Sequence, residues 1–177
     1  MSTPTASVAD PNRRLASRRA ELLAGRIEEG AARLAAFIED LPEAHWNKPI
    51  SATDRRTVGV VVHHVAFIYP IEIEVARAIA NGKAVETSWP DIAKLNSRHA
   101  DENANASKAA TLELLAKNSR EAAAAVRTFT DEELDRSAPF GLSYGAPVTA
   151  QFVIEDHALR HAWHHLAKIK ESVESSS

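Results

Sequence analysis

Four stretches of this chain repeat apolar residues every three or four positions, and each is closed by residues that cannot continue a helix. The first runs from about Asn12 to Asp40, with Leu22, Ile27, Leu34, Phe37, Ile38 and Leu41 opposite a charged face. Leu41-Pro42 ends it, because proline has no N–H for the ladder. The second opens at Asp54 or Thr57, either of which can cap it. It carries Val60, Val61, His64, Phe67, Ile68, Ile71, Val75 and Ile79 and stops at Asn81-Gly82. TVGVVV within it could be read as a strand, but the helical spacing persists to Ile79. Pro70, inside the stretch, predicts a kink or a locally bonded break. The third runs from its cap Ser107 to Phe129, with Leu112, Leu115, Ala122 and Val126 facing inward. The fourth starts near Pro147 or Val148 and ends near Val173.

A helix with one apolar stripe must bury it against another element, so four of them predict an all-α protein, a four-helix bundle. The connections carry short extra pieces: a segment anchored by Trp46, a short helix after Pro90 with Ile92 and Leu95, and a capped turn at Thr130–Leu134. Residues 137–147, rich in Pro and Gly, read as a loop. One domain over 12–173 is predicted, with tails at 1–11 and 174–177.

Several function classes lose support at once. The net charge is −3, and Arg13, Arg14, Arg18 and Arg19 form the one basic cluster, so nucleic acid is not an expected partner. The reading finds no apolar run of membrane-spanning length and no signal segment, so no membrane partner is expected either. The chain has no cysteine, which fits a cytoplasmic location and leaves histidine and carboxylates as the strong metal donors. No Gly-rich phosphate loop and no serine elbow is present.

Chemistry concentrates in Glu155–Ile169, EDHALRHAWHHLAKI. On a helix, His157, His161 and His165 form one stripe, with His164 off to its side. Two imidazoles four apart can share one metal ion, and both intervals qualify, so spacing does not choose between His157 and His165. Neither pair has the glutamate of a metalloprotease motif. His64 taken alone reads as a core group bonded to a carbonyl rather than as a ligand. A histidine stripe facing His64 across a bundle is different, since several buried imidazoles without partners are costly and one metal ion satisfies them together. Three neutral ligands leave a coordination position open, which suits catalysis or ligand capture better than a structural role. Glu155 and Asp156 could orient an imidazole, and Tyr69, His157 and His164 could line the pocket or stand behind the ligands.

TVGVVVHHVA and HAWHHLAKI resemble the second- and last-helix motifs of the DinB/YfiT-like family of metalloenzymes, and WPDIAKLN and TDEELDRSAP resemble its middle region. The likeness spans roughly residues 20–170. It aligns the family's histidines with His64, His161 and His165, and so favours His165 over His157. Lys168 stands where members commonly have Gln, and Ile68 where an acidic residue is frequent. The resemblance implies a four-helix bundle with an unusual connection order and a divalent metal held by those three histidines. Zinc or nickel comes first, then manganese or iron. It also implies a homodimer and, as in some members, transferase chemistry with a low-molecular-weight thiol such as bacillithiol, mycothiol or glutathione and a small-molecule substrate. The reading from another class is a non-catalytic stress-response bundle that binds a metal or small ligand.

Overall fold

The computed structural model describes residues 17–175 of the 177. The order is α1 (Arg18–Glu39), α2 (Glu43–Trp46), α3 (Val58–Ala80), α4 (Trp89–Glu102), α5 (Lys108–Val126), α6 (Asp131–Asp135), β1 (Ser137–Pro139), β2 (Pro147–Thr149), α7 (Ala150–Val153) and α8 (Arg160–Glu174). Between α7 and α8 the chain stays helical but widens into a π segment, Ile154–Leu159. Helices α1, α3, α5 and the α7–α8 run are the four bundle members, with α5 packed against both α1 and α3, and the last run closing the other side.

Side-chain oxygens set the starts. Ser17, Thr57, Ser107 and Thr149 each accept a hydrogen bond from an N–H in the first turn of α1, α3, α5 and α7. Thr57, not Asp54, is thus the cap of α3, and Asp54 instead grips Arg56. Asn81 and the left-handed Gly82 (φ 71°) end α3 as expected. Two starts were read too early. The first helix begins at Arg18 rather than Asn12, and positions 12–16 lie outside the described residues. The last begins at Ala150, because Pro147–Thr149 pairs with Ser137–Pro139 as a two-stranded hairpin in what read as a loop. Tyr144 (φ 56°) and Gly145 (φ 82°) turn that hairpin.

Pro70 does not break α3, which is helical on both sides of it. The missing N–H leaves the Ala66 carbonyl, four residues back, without its helical donor. Asn118 of α5 supplies the replacement: its Nδ2 donates to Ala66 O at 2.8 Å in the buried seam between the helices. Trp46 anchors its connector as anticipated, 3 % exposed with Nε1 donating to Ala106 O at 3.1 Å.

The core is Leu, Ile, Val and Ala from all four members, with Trp46, Phe129, Leu134 and Phe140 from the connections. On α1, Ile27, Leu34 and Ile38 are buried as expected, whereas Leu22 is 59 % exposed and its neighbour Leu23 takes the core position instead. On α3 the correction is larger. Val58, Val62, Val65, Tyr69, Ile73 and Ala76 face the core, while much of the predicted stripe (His64, Ile68, Ile71 and Val75) lines a cavity. By length and mean hydropathy α3 could cross a membrane, a run the sequence reading missed because His63, His64 and Pro70 interrupt it. Its most apolar window is 67 % buried inside the bundle, as in a core helix.

Two contacts position the cavity rim. Val85, between α3 and α4, donates to Pro139 O at 3.0 Å and accepts from Gly141 N at 2.7 Å. A Cβ at Gly141 would sit 2.3 Å from Thr87 O, so only glycine allows this approach. Trp89, at the start of α4, donates from Nε1 to Leu142 O at 3.1 Å.

Candidate metal centre

His64 comes from α3, and His161 and His165 from successive turns of α8. Their nearest ring nitrogens all lie within 4.8 Å of one another. The His64 and His161 Nε2 atoms are 3.1 Å apart, and the His161 and His165 rings stack with centroids 4.8 Å apart. Two metal–nitrogen bonds of about 2.0–2.1 Å at a tetrahedral angle separate their nitrogens by roughly 3.3 Å, so the spacing suits one ion.

Glu72 is the residue the sequence reading missed. It lies two turns beyond His64 on α3, is 6 % exposed, and its Oε1 is 2.6 Å from His161 Nδ1. An ionised carboxylate only accepts, so His161 carries its proton on Nδ1 and turns the Nε2 lone pair toward His64. This is the carboxylate–histidine arrangement that fixes a metal ligand's tautomer. Glu155 and Asp156, the acids expected in that role, are engaged elsewhere. Glu155 accepts from Gln151 and Asp156 pairs with Arg160. The second Glu72 oxygen is buried without a partner. A buried carboxylate so poorly compensated is stabilised by a cation nearby, and the residues therefore fit a divalent ion. Imidazole donors suit zinc, nickel and iron.

Two of the three, His64 and His165, are held neutral. Burial, helped by neighbouring imidazoles, pushes His64 down to about 3 and lowers His165 strongly as well. His99 of α4, a second participant the sequence did not reveal, is pushed down to about 4, chiefly by burial. Its Nε2 is 2.9 Å from His63 Nδ1, and its ring lies 5.5 Å from that of His64.

The predicted stripe breaks at the π segment. Where hydrogen bonds close over five residues, positions four apart no longer stack. His157 accordingly lies outside the trio. Its ring packs edge-on to Phe140 at 5.6 Å, its Nε2 is 3.9 Å from Asp156, and burial lowers its pKa. Both His157 and the exposed His164 line the cavity, as proposed for them. Tyr69 does not. It is fully buried on the core side of α3, its hydroxyl is without a partner, and burial raises its pKa. Phe67 packs on His99 and Phe152 is 44 % exposed, and neither lines the cavity, whereas Ile68 does.

The cavity has a volume of about 550 Å³, within the range of small-molecule sites. The trio and Glu72 are part of its lining. The walls are Ile68, Ile71 and Val75 from α3, Ile92 and Leu95 from α4, and Phe140 and Leu142 from the hairpin.

The sequence profile described as the DinB superfamily matches residues 26–169. Among solved structures, YfiT from Bacillus subtilis superposes with a TM-score of 0.72 at 19 % identity, over 99 % of this chain and 93 % of that one. It is described as a probable metal-dependent hydrolase with an unusual four-helix bundle topology. At that identity the likeness shows the fold. No curated protein matches the chain.

Proposed function

The chain belongs to the DinB superfamily, and from that premise we propose that it is a metal-dependent enzyme. In this reading it is a transferase that joins a low-molecular-weight thiol to an apolar electrophile, beside a divalent ion held by His64, His161 and His165. The observation that carries the reading is the convergence of three imidazole nitrogens within 4.8 Å in the lining of a cavity that also holds an apolar face.

When bound, such an ion supplies Lewis acidity and lowers the pKa of a thiol or water placed on it. Everything else falls to the chain. Glu72 holds the His161 ring in the tautomer that presents Nε2. The isoleucines of α3 and α4 seat the electrophile and exclude water. His157, free of the trio and on the cavity wall, takes the S–H proton as the new S–C bond forms and the leaving group departs with its electron pair. The chain has no cysteine, so the thiol comes from solution, as it would in a reducing cytoplasm.

Water in place of the thiol gives the second reading, a hydrolase, favoured by the description of YfiT. The experiment is to load the full-length, untagged protein with zinc, nickel, manganese or iron and supply bacillithiol, mycothiol or glutathione with a panel of electrophiles. Turnover is expected to need both metal and thiol and to vanish in His161→Ala. Metal-dependent turnover without thiol selects the hydrolase. Tight ligand binding with no turnover would make the protein a binding bundle.

A further inference from the structure

The cavity has two unlike kinds of lining, and together they describe a ligand. Arg56 lines the same cavity as the trio. Its Nε and Nη2 donate to the two oxygens of Asp54 at 2.9 and 2.6 Å, which fixes the guanidinium, and Nη1 has no partner among the described residues. Of the acids on the wall, Glu72 bonds His161 through one oxygen, Asp91 accepts from Ser88, and Asp156 pairs with Arg160. A guanidinium pinned by Asp54, with Nη1 unpartnered among the described residues, therefore lines the same cavity as the imidazoles, and an anion is what that donor can take. The apolar part of the same lining is Ile68, Ile71 and Val75 on α3, Ile92 and Leu95 on α4, and Leu142 from the hairpin, a slot between the two helices. These side chains offer nothing to a polar group.

We propose that the substrate bound here is an anionic amphiphile, its carboxylate-like head between Arg56 and the histidine trio and its apolar body in the α3–α4 slot. The head's seat on the trio rests on the metal reading above, whereas Arg56 and the slot do not.

The test uses the zinc-loaded full-length protein, titrated calorimetrically with sodium hexanoate, octanoate and decanoate below their micelle concentrations. Each methylene buried is expected to raise affinity roughly fourfold until the slot is full. Arg56→Gln should weaken all three by about tenfold or more and leave the chain-length dependence intact. Leu95→Asp should flatten that dependence with zinc content unchanged, and the milder Leu95→Ala serves if the aspartate variant fails to fold. Equal affinity for the three chains, or an Arg56→Gln protein that binds them as the parent does, overturns the proposal. A protein that takes up no zinc but keeps both the chain-length dependence and the Arg56 dependence sinks the metal reading and leaves Arg56 and the slot standing. A zinc-loaded protein with neither dependence does the reverse.

Discussion

At the scale of single residues the site is decided by what stands behind each imidazole. Glu72 fixes the His161 tautomer through one short hydrogen bond. Glu72→Gln keeps the shape but offers a weaker acceptor, and zinc affinity is expected to fall roughly 10–100-fold with the helical circular dichroism unchanged. In the same assay His165→Ala should lose the metal and His157→Ala should keep most of it, because only His165 stands in the trio. Acid should act on the metal-free protein as well. Burial holds His64 at about 3 and His99 at about 4, against ~6.5 for an unfolded imidazole. Below that value the unfolded chain binds protons that the fold refuses. Stability is therefore complete above ~6.5 and drains away as pH falls toward about 3. Urea midpoints at pH 7, 6, 5 and 4 should decline in that order, and a flat series would count against neutral buried histidines. The trio itself was legible, since His64 and the HxxxH pairs carry the spacing and the family motifs. Glu72 was not, because its partner lies 89 residues away and nothing in IEIEV marks one glutamate as buried. His99 was hidden for the same reason, being delivered by a helix of its own.

Among the elements, α3 shows where periodicity succeeds and where it stops. Its extent and both ends could be read from Thr57 and Asn81-Gly82. The assignment of its faces could not, because a helix with a core on one side and an apolar cavity on the other is apolar over most of its circumference. Its proline carries its own remedy in Asn118. Asn118→Ala leaves a buried carbonyl unpaired and should cost about 1–3 kcal/mol. In a Pro70→Ala background the helix recovers its own N–H for Ala66, so the same change should cost less. A double-mutant cycle by urea denaturation reads the difference, and strict additivity would show the two positions to be independent.

For the whole molecule, the candidate centre joins helices from the first and second halves of the chain, with 97 residues between His64 and His161. Metal binding and folding are then linked, since the unfolded chain does not assemble the trio. At a free metal concentration of about 100 times Kd the stabilisation is about 2.7 kcal/mol, or roughly 5–10 °C in Tm for a domain of this size. Removing the metal with a chelator at neutral pH should lower Tm by about that amount. A Tm indifferent to chelator would argue against an ion of consequence at this site.

The π segment also bears on how the gene can change in length. Elsewhere in a bundle helix, losing one codon turns everything beyond it by about 100° and strips its buried face. Ile154–Leu159 holds the surplus residue of a widened turn, between the Thr149 cap on one side and buried Ala162, Leu166 and Ile169 on the other. Deleting Asp156 should let that turn close to an ordinary α-helix with His161 and His165 still aimed at His64. Deleting Ala167 instead carries Ile169 out of the core. Among relatives of this chain, single-residue gaps in the last helix are therefore expected just before the position of His161 and not after it.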